Sequence, residues 1–308
     1  MNILITGGAG YIGSELVSHF IKENKVTVLD NLMYSKDSLL RYAQEKNFNF
    51  IKGDVRDTSL LEKCVKDADV IIPLAALVGF PLCDKDPRAA QEINHDANTW
   101  IAKNKSKDQL VIYPCTNSGY GVSDGGNVCT EESPLNPISL YGVTKVAAEK
   151  DFKNVENHVT FRLATVYGPS SRMRTDLLVN NFVLRAKKDK VLVLYECEFM
   201  RNYVHIHDVC KAFKFVLNDW EGCKNQTYNV GNDSLNMNKL QLAEKIQNHL
   251  PLEIIRAEFN SDPDVRDYIV SSQKIYDKGY VCEKNLDDGI EELIKVYDII
   301  DSPWYGNY

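Results

Sequence analysis

Asn2-Ile-Leu-Ile-Thr6-Gly7-Gly8-Ala9-Gly10-Tyr11-Ile12-Gly13 is an apolar run that ends in glycines spaced G-x-x-G-x-x-G. The pattern predicts a buried strand, a tight turn and the start of a helix, an arrangement whose backbone N–H groups and dipole favour a pyrophosphate. In it Gly7 allows the turn, Gly10 lets the backbone approach a phosphate, and Gly13 lets the helix pack closely on the strand. By itself the motif is weak, because flexible turns also collect glycine. The next eighteen or so residues decide its meaning. Ile12, Leu16, Val17, Phe20 and Ile21 recur at helical spacing, and Lys25-Val-Thr-Val-Leu-Asp30 reads as a second strand that ends in an acid. A carboxylate there is placed to accept hydrogen bonds from the ribose hydroxyls of an adenosine, and it would repel a 2′-phosphate. A helix cap or turn residue is the other role open to it. No Arg or Lys follows Asp30 until Lys36, which suits NAD better than NADP.

Outward from this unit, strand-like runs at Phe48 to Ile51, Asp69 to Pro73, Leu110 to Pro114 and Val159 to Leu163 alternate with amphipathic stretches, the longest at Arg88 to Lys103 and Leu140 to Asn154. That alternation predicts an α/β fold, a doubly wound parallel sheet of the Rossmann type with helices on both faces. Past Gly168 the pattern loosens into a helix near Asp176 to Lys188, a short strand at Val191 to Tyr195, and helices near Asp208 to Leu217 and Asn238 to Leu250. These predict a smaller mixed α/β lobe. The expected division is residues 1–168 for the cofactor and 169–308 mainly for the substrate, with segments near 201–231 packing back on the first part.

The chain has 308 residues, 44% of them hydrophobic, and a net charge of -7, which fits a globular protein with a full core and leaves no basic face for nucleic acid. Its eight cysteines include no C-x-x-C pair and no metal-ligand spacing with histidine, so reduced thiols and no metal are expected. No apolar run approaches membrane-spanning length, and the N-terminus starts on a core strand instead of a signal segment. The expectation is a cytoplasmic protein.

Tyr141-Gly-Val-Thr-Lys145 opens a helical stretch, so its phenol and ammonium project from one face. Tyrosine ionises near pH ~10, and a neighbouring lysine that lowers this value is what a base working near neutrality requires. With sixteen tyrosines in the chain, a chance pair on an exposed helix is the alternative. Upstream, Val111-Ile-Tyr-Pro114-Cys115-Thr116-Asn117-Ser118-Gly119-Tyr120-Gly121 ends the fifth strand in hydroxyl and amide side chains. At the carboxyl end of a parallel strand such residues face bound ligand, and Thr116 is placed to hydrogen-bond a substrate oxygen. Taken alone, the stretch also reads as an ordinary polar loop.

In order along the chain, Thr6 to Gly13, Asp30, Gly53-Asp54-Val55-Arg56-Asp57, Leu74-Ala75-Ala76 and the Thr116 loop followed by Tyr141 and Lys145 resemble the extended short-chain dehydrogenase/reductases, in their nucleotide-sugar epimerase/dehydratase branch. The likeness covers essentially the whole chain. Arg162-Leu-Ala-Thr-Val-Tyr-Gly-Pro169, Arg201-Asn-Tyr-Val-His-Ile-His-Asp208 and Tyr228-Asn-Val-Gly231 are similar to that group's C-terminal signatures. The resemblance implies NAD as cofactor, a nucleotide-sugar substrate, and a homodimer paired through the helices near Arg88 to Lys103 and Leu140 to Asn154. It implies that Gly7, Gly10, Tyr11, Ile12 and Gly13 cradle the cofactor, joined by Asp30 and Asn31, that Asp54 and Val55 contact its adenine, and that Leu74, Ala75 and Ala76 line the nicotinamide side. Lys145 would bind the nicotinamide ribose, Tyr141 would take a proton from a sugar hydroxyl, and Thr116 would hydrogen-bond the oxygen that changes between alcohol and ketone. On the substrate side the candidates are Asn117, Ser118, Asn181, Arg201 and, within Asp262-Pro-Asp-Val-Arg-Asp267, Arg266. For each arginine a surface ion pair is the ordinary alternative.

Membership of such a group leaves several reactions open. The 4,6-dehydratases place Asp-Glu directly after the hydroxyl residue, where this chain has Asn117 and Ser118, neither of which transfers a proton as a carboxyl does. Oxidation at C4 needs only Tyr141, Thr116, Lys145 and NAD; it could stop at the ketone or continue by hydride return, as in a 4-epimerase of a UDP- or GDP-sugar. Leu74-Ala-Ala-Leu-Val-Gly79, Thr116 to Gly121, Cys129-Thr-Glu-Glu-Ser-Pro134 and Phe161-Arg-Leu-Ala-Thr-Val166 resemble bacterial enzymes that oxidise C4 of GDP-D-glycero-D-manno-heptose on the way to capsular heptoses. Thr165 departs from the common epimerase pattern, where an Asn often helps hold the substrate diphosphate. A non-catalytic NAD-binding sensor is the alternative from another class, and the intact Thr116, Tyr141 and Lys145 argue against it.

Overall fold

The computed structural model describes residues 1–34, 37–123, 127–257, 266–300 and 306–307; Lys36 and the Asp262–Val265 part of the Arg266 motif lie outside them. In chain order the strands are β1 (Asn2–Thr6), β2 (Lys25–Asp30), β3 (Phe48–Lys52), β4 (Val70–Pro73), β5 (Leu110–Thr116), β6 (Val128–Cys129), β7 (His158–Leu163), β8 (Thr165–Tyr167), β9 (Val191–Leu194), β10 (Met200–His205), β11 (Gln226–Val230), β12 (Asn232–Asn238), β13 (Glu253–Arg256) and β14 (Ile269–Val270). Seven of them form one parallel sheet in the order β11-β7-β5-β4-β1-β2-β3. This is the predicted Rossmann-type α/β sheet. Its central strands are apolar on consecutive residues because both faces are covered: Ile3, Leu4, Ile5, Val70, Ile71 and Ile72 are all buried. One face packs on the helices Tyr11–Phe20 and Ile206–Asn218, the other on Thr58–Lys66, Ala97–Asn104 and Leu140–Lys153.

The segments near 201–231 divide between two sheets. β11 forms the outer strand beside β7, and the helix Ile206–Asn218 shares the apolar cluster of the first helix. β10, by contrast, joins β8 and β12 in a separate three-stranded sheet. The helices Leu178–Lys188, Lys239–Gln247 and Leu286–Ile299 close a third apolar cluster around Val183, Leu242 and Leu293.

The long helix expected from Arg88 to Lys103 is interrupted. Pro87–Gln91 and Ala97–Asn104 are α-helical, and Glu92–Asp96 between them is a π-helical turn. Its buried Asn94 accepts from Leu77 N (2.8 Å) and donates to Leu77 O (2.9 Å), so the widened turn fixes the loop that follows β4.

The helix Leu140–Lys153 is tied to the sheet by charge. Arg162 on β7 and Glu149 on the helix are 2% and 1% exposed and meet through Nη2–Oε1 at 2.7 Å and Nε contacts at 3.2 Å, with Lys153 Nζ 2.9 Å from the same carboxylate. Burial pushes the Glu149 carboxyl up, and Arg162 and Lys153 more than reverse this, leaving it below its ordinary value. Removing one partner would leave a buried unpaired charge. Glu149→Ala should therefore lower the unfolding free energy by about 3–5 kcal/mol in urea denaturation. Asp189→Ala, which breaks the exposed pair with Arg185, should change it by less than about 1 kcal/mol.

Candidate active site

β1 has β2 on one side and β4 on the other, so the strand order reverses at β1 and a crevice opens beyond its carboxyl end. A cleft of about 660 Å³ runs from there toward β5 and the second lobe. The glycine turn forms one end of it. Gly7 has a φ of +69°, and a Cβ on it would lie 2.6 Å from Ala75 N. At Gly13 a Cβ would lie 2.5 Å from Gly7 O, so the helix can approach the turn only without one. Gly10 is the N-cap of that helix, contributes no capping side chain, and is followed by no acid in the first turn. The N-terminal amides are thereby left to a ligand anion.

Gly7, Gly10, Tyr11, Ile12, Gly13, Asp30, Asn31, Asp54 and Val55 all line this end, and Leu74, Ala75 and Ala76 continue the wall from β4. Asp30 Oδ2 accepts from Ala9 N at 3.0 Å and Oδ1 from Leu32 N at 2.7 Å; burial pushes its carboxyl up against the pull of these amides. Two lone pairs on each oxygen leave capacity for ribose hydroxyls. Asp54 is held low, at about 2, by Arg56, and also accepts from Asn31 Nδ2 at 3.1 Å. The Tyr11 hydroxyl donates to Gly168 O at 2.6 Å, tying the first helix to the residue that follows β8.

Further along the cleft are Thr116, Tyr141 and Lys145. Lys145 is buried, its Nζ 4.3 Å from the centre of the Tyr113 ring, and burial brings its pKa down to about 8. The sequence predicts a lysine that lowers the pKa of Tyr141. In the structure burial outweighs every other influence on that phenol and pushes it up, and the positive groups pulling the other way are Arg174 and Arg266. β5 extends two residues beyond the predicted end, pairing Cys115 and Thr116 with Arg162 and Leu163, and so Thr116 sits at the strand tip. Its Oγ1 accepts from Ser118 N (3.1 Å) and donates to Ser118 Oγ (3.0 Å), which in turn accepts from Arg266. Arg201, 3% exposed, lies 5.7 Å over the Tyr268 ring and donates to Met200 O.

Ser118, Arg201 and Arg266 thus line the cleft with Thr116, while two expected substrate residues do not. Asn117 is 1% exposed, in the tight turn behind Thr116, because the turn that presents Ser118 buries its predecessor. Asn181 donates to Thr175 O at 3.1 Å and accepts from Arg185, which directs its amide along its own helix. Arg172, Arg174, Asp176 and Tyr34 also line the cleft, and no motif in the sequence points to them. Their only sequence signal is two arginines soon after Gly168-Pro169.

The uncapped helix start, the Cβ-free cradle at Gly7 and the acid at the tip of β2 fit NAD: the first two accept its diphosphate and Asp30 its ribose. Residues 3–231 match the NAD dependent epimerase/dehydratase family. The chain belongs to that family. The chain is 28% identical over 309 residues to the low-salt glycan biosynthesis protein Agl12 of Haloferax volcanii, with 96% of this chain and 98% of that protein covered. Its structure is similar to dTDP-glucose 4,6-dehydratase from Bacillus anthracis, solved with NAD (TM-score 0.84, 25% identity, 99% and 98% of the two chains). It is also similar to UDP-glucuronic acid 4-epimerase from Bacillus cereus, solved with UDP-glucuronic acid and NAD (TM-score 0.85, 25% identity, 97% and 100%). NAD is the cofactor. Among the described residues no helix is long and apolar enough to cross a membrane, and no cluster of residues could hold a metal ion.

In this family member the buried Lys145 sets a testable linkage. Below pH of about 8 the folded and unfolded chains both carry its proton, and the folded chain bears the full cost of the buried charge. Above it the folded chain sheds the proton first, and the cost fades toward the ordinary lysine value of 10.5. Lys145→Met should therefore stabilise the cofactor-free protein at pH 7, and the gain should shrink toward zero by about pH 10, as read from denaturant midpoints at the two values.

Proposed function

We propose that the protein oxidises C4 of a nucleotide-linked sugar to a ketone, with GDP-D-glycero-D-manno-heptose as the leading substrate. The observation that carries this reading is the set of groups around Thr116 and Tyr141: hydroxyls, an ammonium and arginines, with no carboxylate among the described residues available for eliminating water. Of the acids that line the cleft, Asp30 ends β2, Asp54 follows β3, and Asp176 is paired with Arg174. A hydroxyl oxidation asks less of the chain. Tyr141 Oη takes the proton from the sugar hydroxyl, Thr116 Oγ1 donates to the same oxygen and aligns it, and the positive charges of Arg174 and Arg266 favour the phenolate that the transfer needs. Bound NAD supplies the hydride acceptor. Arg201 and Arg266 would hold the nucleotide diphosphate, two charge-assisted contacts from the second lobe that set the sugar's reach toward Tyr141.

The heptose reading is supported by the likeness of the stretches around Leu74, Thr116, Cys129 and Phe161 to enzymes acting on that sugar. A 4-epimerase is the second reading, since it needs the same residues, and it differs in returning the hydride before the sugar leaves. Product analysis separates the two. Incubation with NAD and the GDP-heptose should give a 4-keto sugar and a matching rise in NADH absorbance; a product inverted at C4 with no net NADH would establish the epimerase. Tyr141→Phe should cut turnover by about 10²-fold or more while the NAD dissociation constant stays within about twofold, and undiminished turnover in that variant would remove Tyr141 as the base.

A further inference from the structure

After Gly168-Pro169 the chain runs Ser170-Ser171-Arg172-Met173-Arg174-Thr175-Asp176, and this segment is bonded to the first turns of the helix Tyr11–Phe20. Ser170 Oγ donates to Tyr11 O at 2.8 Å and lies 3.0 Å from Ser14 Oγ, and Ser171 donates twice to Glu15 Oε1. Arg172 follows directly, its N–H donating to Ser170 Oγ at 3.2 Å, and it lines the same cleft as the uncapped helix start. It is 5% exposed, its guanidinium lies 5.3 Å from the centre of the Tyr34 ring, and it donates to two uncharged acceptors, Met173 O (3.0 Å) and Gly306 O (3.1 Å). Arg174, 8% exposed, takes the carboxylate of Asp176, and Glu15 is taken by Ser171. Among the described residues, these two buried guanidiniums therefore share the one carboxylate of Asp176 at this corner of the cleft. Burial, with Arg174 alongside, presses the pKa of Arg172 below its ordinary value. The hydroxyl of Tyr34 and Oδ1 of Asn307, which both belong to cleft-lining residues, are buried without a hydrogen-bond partner among the described residues.

A buried guanidinium without a carboxylate is costly until an anion meets it, and its fork matches phosphate oxygens. Two diphosphates could serve, the cofactor's and the substrate's. The ties of Arg172 run to Tyr34, four residues past Asp30, and through Ser170 to Tyr11, which are both on the cofactor side. Arg266 and Arg201 instead reach Ser118 and Tyr268. We infer that Arg172, braced on Tyr34, is a second anchor for the diphosphate of NAD, contributed by the segment after Gly168, so that the diphosphate is held between the helix start and a buried arginine. This rests on NAD as the cofactor and not on the identity of the sugar.

The test uses the 308-residue chain without substrate, with calorimetric titration of ADP-ribose, adenosine and GDP into wild type, Arg172→Met and Arg172→Lys. The Met variant should bind ADP-ribose about ten- to a hundredfold more weakly, the worth of charge-assisted hydrogen bonds. Its adenosine and GDP affinities should stay within about twofold, the Lys variant should recover part of the loss, and the cofactor-free Met variant should melt no lower than wild type, because an uncompensated buried cation is gone. Unchanged ADP-ribose binding would overturn the assignment. So would a loss confined to GDP, which would give Arg172 to the substrate's diphosphate, or an equal loss for adenosine with a lowered melting temperature, which would make it a structural prop.

Discussion

The buried pair between Arg162 and Glu149 is the constraint on which the catalytic half of this molecule depends. Arg162 Nη1 also donates to the Tyr120 hydroxyl at 3.0 Å and to Glu131 O at 3.1 Å; Tyr120 donates to Asn229 on β11, whose amide reaches Ser271 O. One guanidinium therefore joins the helix of Tyr141 and Lys145, the turn after Thr116, the outermost strand of the sheet and the segment that carries Arg266. An apolar replacement of similar volume could match its contribution to stability, since desolvating two charges offsets most of their attraction. It could not match its direction. Apolar packing tolerates a sliding helix, whereas a two-point contact between guanidinium and carboxylate fixes rotation and register together.

The other end of the cleft is fixed by the absence of atoms. Gly7 and Gly13 bring the turn, the helix start and the β4 loop so close that any side chain would collide with backbone. The two devices act on different elements, and the Tyr11 hydroxyl separately ties the first helix to Gly168 O.

Most of this was legible in the sequence because it is local. The glycine spacing, the apolar strands and the Tyr-x-x-x-Lys step each depend on residues a few positions apart, and their physics is that of a single turn or strand. Legibility failed where a side chain's partner is remote. Asn94 interrupts its helix because Leu77 holds it, and nothing within residues 88–103 reports that bond. Asn181 and its neighbour Asn180 differ by one step around a helix. That rotation sends Asn180 inward, to Gly168 N and Arg174 O, and leaves Asn181 bonded along its own helix. The pKa expectation failed for a related reason: a sequence shows that a lysine is near a tyrosine, but not that both are buried, and burial opposes the charged form of each.

The chain from Arg266 through Ser118 to Thr116 bears on how the sugar can enter. Thr116 has one hydroxyl proton, and it is committed to Ser118 Oγ. To donate to a sugar oxygen it must give up that acceptor, and Ser118 must then rely on the Arg266 contact and on its own proton, which is free to turn to Thr116 Oγ1. A diphosphate that draws Arg266 away would remove the donor to Ser118 and shift the same balance. If Arg266 holds the diphosphate as proposed, loading of the nucleotide and orientation of the Thr116 proton would be two parts of one hydrogen-bond exchange. Ser118 cannot protonate a leaving hydroxyl as a carboxyl does, and its bonds instead join Thr116 to Arg266.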